Sequence, residues 1–105
     1  MNRWIAVAKA SQFAPGSQTC AVVDGAGIAV FNVDGALHAI ENACPHAHAP
    51  LSEGYVEGTH VVCPWHAAVF DLATGELIEG PCHRGVKRYN VKTEGDEILV
   101  EIPQE

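Results

Sequence analysis

The sequence predicts an all-β protein, a small antiparallel β-sandwich or barrel. Short apolar segments recur along the chain, and glycine-containing turn signals separate them. Helical periodicity is weak throughout, which argues against a helical layer. The chain has 105 residues, of which 48% are hydrophobic. This length predicts one domain over residues 1–105, with enough apolar side chains for a core.

The predicted strands are short and follow one another closely. They cover residues 4–8, 19–23, 27–33, 37–41, 59–62, 69–72, 77–78, 85–92 and 97–102. Asp24-Gly25 and Asp34-Gly35 predict two tight hairpins, because glycine readily adopts the positive φ that such turns require. Gly95-Asp96 predicts the turn of the last hairpin. One helical turn is expected near residues 9–13, and eight to ten strands are expected in all.

Charge and composition exclude several functions. The net charge is −7, which makes nucleic acid and anionic membrane surfaces poor partners. No apolar run approaches the roughly 18 residues that a membrane-spanning helix needs. The N-terminus lacks the long apolar segment of a secretory signal, so we expect a cytoplasmic protein. Four cysteines in that compartment indicate metal or redox chemistry rather than disulfides.

Two proline-stiffened loops break the strand pattern between residues 42 and 68. The first contains Cys44 and His46, and the second contains Cys63 and His66. A proline follows each cysteine, which favours a rigid loop over a strand. Because each loop offers one thiolate and one imidazole, we expect Cys44, His46, Cys63 and His66 to converge on one metal centre.

Two metal centres suit this set of ligands. A tetrahedral zinc ion accepts two Cys and two His, but zinc fingers usually place both cysteines on one arm. A 2Fe-2S cluster with two Cys on one iron and two His on the other fits the mixed arms better. Its oxidised centre is neutral, whereas four thiolates would give −2. The neutral centre accepts an electron with less electrostatic work, so its potential is higher.

In these motifs the sequence resembles the Rieske family. The matching segments are Cys44-Pro45-His46, Leu51-Ser52-Glu53-Gly54, Cys63-Pro64-Trp65-His66, Phe70-Asp71 and Thr74-Gly75-Glu76. The resemblance implies a Rieske-type fold with a cluster-binding subdomain at approximately residues 42–82. It implies one Rieske 2Fe-2S cluster as the cofactor. It also implies that Cys44 and Cys63 hold the inner iron, while His46 and His66 hold the outer iron through Nδ1.

Departures from the respiratory Rieske proteins indicate which branch the chain resembles. The positions of their inter-loop disulfide correspond to Ala49 and Trp65 here, so that disulfide is not expected. The positions of their Ser and Tyr hydroxyls correspond to Ala68 and Phe70. Neither of these side chains can donate a hydrogen bond to a cluster sulfur. Because such hydrogen bonds raise the reduction potential, we expect a potential toward the low end of the range of roughly −150 to +300 mV.

A short chain without the disulfide resembles the ferredoxin components of bacterial aromatic-ring-hydroxylating dioxygenase systems. That resemblance implies a monomeric electron carrier between an NAD(P)H-linked reductase, with flavin or iron–sulfur centres, and a terminal oxygenase. The alternatives are the small subunit of an assimilatory nitrite reductase and a structural zinc module. The acidic residues near the loops are interpreted either as a docking surface or as a generally solvated acidic surface. These residues are Glu41, Glu53, Glu57, Asp71, Glu76 and Glu79.

Other chemistry-bearing residues receive structural interpretations. We expect Cys20 to lie in the core, and His38 and His60 to be structural residues of strands. His48 is interpreted as a loop residue near the cluster rather than as a ligand. Cys82 is interpreted as a free thiol in a third loop, residues 80–83, that shields the cluster in the family the chain resembles.

Overall fold

A computed structural model describes residues 2–45, 49–65, 68–80 and 84–103. Within these ranges the protein is built from eleven β-strands and two single-turn 3-10 helices. The strands are β1 (Asn2–Lys9), β2 (Gln18–Val23), β3 (Ala26–Val33), β4 (Ala36–Glu41), β5 (Tyr55–Glu57), β6 (His60–Val62), β7 (Val69–Asp71), β8 (Leu77–Glu79), β9 (Arg88–Tyr89), β10 (Val91–Glu94) and β11 (Glu97–Pro103). The 3-10 helices are η1 (Ala10–Gln12) and η2 (Leu51–Glu53). The all-β prediction is therefore confirmed.

The strands form three antiparallel sheets. The first sheet has the order β1-β11-β10, the second β2-β3-β4-β9 and the third β5-β6-β7-β8. Both predicted Asp-Gly hairpins are present, joining β2 to β3 and β3 to β4. Asp24 and Asp34 each have a φ of 52°, as a tight primed turn requires at its first central residue.

The second sheet is the middle layer, because its central strands are buried on both faces. In β3, Ile28 and Val30 pack into one core with strands of the first sheet. The alternate residues Ala29 and Phe31 pack into another core with side chains of the third sheet. Alternation along one strand thus supplies side chains to both cores. The third sheet, which carries the second predicted metal-binding loop between β6 and β7, lies on the far side of that other core.

Three details differ from the prediction. The strand expected over residues 85–92 divides at Asn90, because β9 pairs with β4 in the second sheet and β10 pairs with β11 in the first. The three-residue strand β5 was not expected. Cys20, expected in the core, is exposed on β2, which lies at an edge of the second sheet. The helical turn expected near residues 9–13 is present as η1.

The predicted structural histidines lie in strands as expected. His38 is in β4 and His60 is in β6, and both are partly buried. Burial of the ring lowers the pKa of His38 from its usual 6.5, with Asp71 raising it and Arg88 lowering it further. Among the described residues, no helix is long and apolar enough to cross a membrane.

Candidate metal centre

The two cysteines of the predicted centre begin loops that close in the same way. The Cys44 N–H donates a hydrogen bond to the Ala49 carbonyl oxygen at 3.0 Å. The Cys63 N–H donates to the Ala68 carbonyl oxygen at 2.8 Å. In both loops the donor and the acceptor are five residues apart, and the closing alanine is fully buried. The chain therefore builds one kind of closed loop twice, with a cysteine at the same position in each.

Both cysteines lie in the same apolar core. Cys44 has no exposed surface and Cys63 is 2% exposed. They share a cluster of buried side chains with Leu51 and Phe70. A thiolate in such surroundings needs a cationic partner to compensate for lost hydration, and a metal centre provides one. The donor set and its dry environment therefore fit a cofactor bound through cysteine sulfur.

The histidines of the predicted ligand set, His46 and His66, lie outside the described residues. The same holds for His48 and for Cys82 of the predicted third loop. Among the residues that the structure describes, no three or more His, Cys, Asp or Glu side chains form a group able to hold a metal ion. Of the four predicted ligands, the structure therefore describes Cys44 and Cys63.

Asn42 anchors the first loop, a role that the sequence reasoning missed. Its backbone N–H donates to the Gly27 carbonyl oxygen of β3 at 3.0 Å. Its own carbonyl oxygen accepts from the Leu51 N–H at 2.7 Å, and its side-chain Oδ1 accepts from the Ser52 N–H at 2.8 Å. One residue thereby ties both ends of the loop to the middle sheet. The available signal was an asparagine two residues before Cys44, since asparagine often bonds to nearby backbone.

Gln18 joins the middle sheet to the same region. Its side-chain Nε2 donates to the carbonyl oxygens of Ser52, at 2.7 Å, and Gly54, at 3.0 Å. These bonds fix the turn that leads from the first loop into β5. No sequence signal identified Gln18, because a glutamine on a strand usually faces solvent.

The second loop packs against buried apolar side chains and against the glycine that begins the predicted third loop. Ala68 and Phe70 are fully buried, and neither carries a hydroxyl group. Gly80, with a φ of +124°, lies so close that a Cβ on it would be 2.6 Å from the Ala68 Cα. The predicted third loop therefore begins in direct contact with the base of the second.

Two of the six acidic residues expected to form a docking surface have roles inside the fold. Glu41 Oε1 accepts from the Lys87 N–H at 3.1 Å and lies 3.6 Å from Arg84 Nη1. Asp71 Oδ1 accepts from the backbone N–H groups of Ala73 and Thr74, and so closes the turn after β7. The remaining four are exposed: Glu53, Glu57, Glu76 and Glu79.

Comparison with known families assigns this arrangement of fold and loops to a class. The Rieske [2Fe-2S] domain family matches residues 3–90, and the chain belongs to this family. The family implies one 2Fe-2S cluster, which confirms the predicted cofactor. The chain is 32% identical to the ferredoxin component of the naphthalene 1,2-dioxygenase system of Pseudomonas putida, over 95% of this chain and 96% of that protein.

Solved structures show the same relationship. The ferredoxin of carbazole 1,9a-dioxygenase from Nocardioides aromaticivorans IC177 superposes with a TM-score of 0.86 at 36% identity, covering 92% of this chain and 95% of that one. A chain in the complex of reduced oxygenase and oxidized ferredoxin in carbazole 1,9a-dioxygenase also gives 0.86, at 33% identity, covering 92% and 91%. A putative NADH-dependent nitrite reductase small subunit from Mycobacterium tuberculosis gives 0.87 at 25% identity, covering 100% and 99%. The predicted relationship to dioxygenase ferredoxins is confirmed.

Proposed function

We propose that this chain is an electron-transfer ferredoxin of an aromatic-ring-hydroxylating dioxygenase system. It carries single electrons on one Rieske 2Fe-2S cluster from an NAD(P)H-dependent reductase to a terminal oxygenase, and it turns over no substrate itself. The observation that carries the proposal is the pair of matched loops, which bury Cys44 and Cys63 in one apolar core. The likeness to ferredoxin components over nearly the whole chain supports it.

The proposed ligands are Cys44 and Cys63 for one iron, and His46 and His66 for the other. When bound, the cluster takes up and releases one electron without breaking a covalent bond. The chain contributes two thiolates at the rigid bases of the loops and a surrounding of apolar side chains. The whole chain then forms a single Rieske domain, with its cluster-binding part at approximately residues 42–82.

The proposed partners are the reductase and the terminal oxygenase. Oxygenase binding is supported by the likeness to a chain in the carbazole 1,9a-dioxygenase complex. The proposal includes a monomer that binds neither nucleic acid nor a membrane, since a charge of −7 disfavours both. A cytoplasmic location is also part of it, because NAD(P)H-linked reductases and reduced thiols belong to that compartment.

The visible spectrum of the purified protein tests the cluster and its ligands together. We expect charge-transfer bands that bleach on uptake of one electron per protein. Cys44→Ser should lose these bands, whereas Cys20→Ser should keep them, because Cys20 is exposed on β2. A colourless protein that contains zinc and no acid-labile sulfide would return the assignment to a structural zinc module.

A second candidate function is the small subunit of a nitrite reductase. It is supported by the full-length likeness to the Mycobacterium tuberculosis protein, although at lower identity than the dioxygenase ferredoxins. Reconstitution separates the two functions. A free shuttle supports oxygenase turnover with a reductase and NADH, whereas a nitrite reductase subunit co-purifies with a sirohaem-containing large subunit.

A further inference from the structure

One face of the third sheet lies outside both cores. Side chains on directly paired residues of antiparallel strands share a face. Tyr55 pairs with Val62, and Val62 pairs with Val69, so these three side chains form an apolar row across β5, β6 and β7. Tyr55 is 68% exposed, and the valines, which are half-buried, belong to neither core cluster. We call this side of β5–β8 the outer face.

The apolar row lies beside the second loop. At the far edge of the sheet Val69 pairs with Glu79, and the neighbouring Ile78, at the irregular pairing of β7 with β8, is 47% exposed. Val62 immediately precedes Cys63, and Val69 immediately follows Ala68, so the row adjoins both ends of the loop. That loop also carries Trp65, which is 67% exposed. Exposed apolar surface is thus concentrated next to one of the proposed cluster ligands.

The second row of the outer face is polar and acidic. Glu57 pairs with His60, and His60 pairs with Asp71. His60 Nε2 lies 3.9 Å from Asp71 Oδ2, while Glu57 is exposed. The outer face therefore combines an apolar row near the loop with carboxylates on its other side.

Basic residues are absent from this whole part of the sequence. The chain has no Lys or Arg between Lys9 and Arg84. The acidic residues of that stretch are Asp24, Asp34, Glu41, Glu53, Glu57, Asp71, Glu76 and Glu79. Five of these eight carboxylates, from Glu53 to Glu79, belong to the part of the sequence that forms η2, the third sheet and both metal-binding loops, which contains no Lys or Arg to offset them. A binding surface here attracts a positively charged partner and repels a second copy of this chain.

We propose that the outer face is the docking surface for a redox partner protein that presents an apolar centre rimmed by Lys and Arg side chains. This inference rests on the proposed electron-transfer function. The row spans three strands, roughly 10 Å at normal strand spacing. That width suits the centre of a transient electron-transfer interface, which buries less than about 1,200 Å² in total. Docking here brings the partner beside the Cys63 loop.

Electron transfer to cytochrome c, a basic redox protein, tests the proposal. The reduced holoprotein is mixed with oxidised cytochrome c in a stopped-flow instrument at low ionic strength, and the second-order rate constant is measured. We expect Tyr55→Ser to lower it about fivefold, which is the effect of losing about 1 kcal/mol at an interface centre. The matched control is Val22→Ser, because Val22 is 73% exposed on β2 of another sheet. Its rate constant should equal that of the wild type.

A pair of charge-removing substitutions tests the contribution of the carboxylates on the outer face. Glu57→Gln should lower the rate constant about twofold at low salt and have no effect at high salt, since salt screens exposed charges. Glu97→Gln removes an exposed carboxylate from β11 in the first sheet and serves as the control. If both outer-face variants behave like their controls, the partner docks elsewhere and the proposal is wrong.

Two further measurements keep the outcomes distinct. Each variant must keep the wild-type visible spectrum and reduction potential; a wild-type protein without cluster bands would refute the proposed function rather than the docking surface. Sedimentation reports on a second copy as occupant. A dimer that Tyr55→Ser dissociates would assign the outer face to self-association and overturn the partner proposal.

Discussion

Replacing Gly80 with alanine should loosen the second proposed metal-binding loop, between β6 and β7. A Cβ at this position would lie 2.6 Å from the Ala68 Cα and 2.9 Å from the Ala68 Cβ. Carbon atoms prefer separations of about 3.5–4.0 Å, so the two segments must move apart by about 1 Å. Because Ala68 closes the loop through its bond to the Cys63 N–H, this displacement acts directly on the cysteine.

The loss of stability in Gly80→Ala has two contributions, and a control variant separates them. Any L side chain at a positive φ such as +124° is strained by about 1–3 kcal/mol. Overpacking against buried Ala68 adds about 1–3 kcal/mol. Gly35→Ala serves as the control for the first contribution, because Gly35 has a φ of +95° and nothing within 4 Å of its Cβ position.

The assay is thermal denaturation of the holoprotein, followed by far-UV circular dichroism and by the visible absorbance of the cluster. An extra 2 kcal/mol corresponds to a midpoint roughly 8–16 °C lower in Gly80→Ala than in Gly35→Ala, at about 4–8 °C per kcal/mol. The visible bands of Gly80→Ala should also decay first. Equal midpoints for the two variants would refute the contact between the third loop and Ala68.

Three further predictions concern potential, pH and cofactor removal. Phe70→Tyr should raise the reduction potential by about 40 mV in protein-film voltammetry, since a hydroxyl bonded to cluster sulfur favours the reduced state by about 1 kcal/mol; an unchanged value would contradict this. Burial lowers the pKa of His38 below 6.5, so the unfolded chain binds the proton more readily and the free energy of unfolding should fall as the pH drops below 6.5. His38→Gln should lose stability less steeply over this range; parallel pH profiles for the wild type and the variant would show that His38 is not the cause. Removing the iron should speed amide hydrogen exchange in β5–β8 well before exchange in β1 and β11; uniform exchange would show one cooperative unit.

The sequence predicted what local chemistry determines. Asp-Gly at two positions predicted two hairpins, and both aspartates have the required positive φ. The paired Cys-Pro motifs predicted two loops, and the loops close identically because each cysteine N–H finds a carbonyl five residues later. These features depend on a few neighbouring residues, so they can be predicted without knowledge of the tertiary structure.

The features that were missed depend on contacts between distant segments. Asn90 ends one strand and begins another only because β9 and β10 pair in different sheets. Gln18 acquires its role from two carbonyl groups more than thirty residues away. Cys20 is exposed because β2 is an edge strand, and strand order cannot be obtained from apolar alternation.

The difference in strand length between the sheets explains why the loops need anchors such as Asn42 and Gln18. Strands β1 and β3 have eight residues, whereas each strand of the third sheet has three. Sheets of such short strands need packing against another layer for stability. The core that supports the third sheet contains Cys44 and Cys63, whereas the described residues of the core between the other two sheets include no cysteine. A cofactor bound through the proposed ligands Cys44 and Cys63 would therefore stabilise the sheet that carries the outer face, and cofactor loading would be coupled to docking.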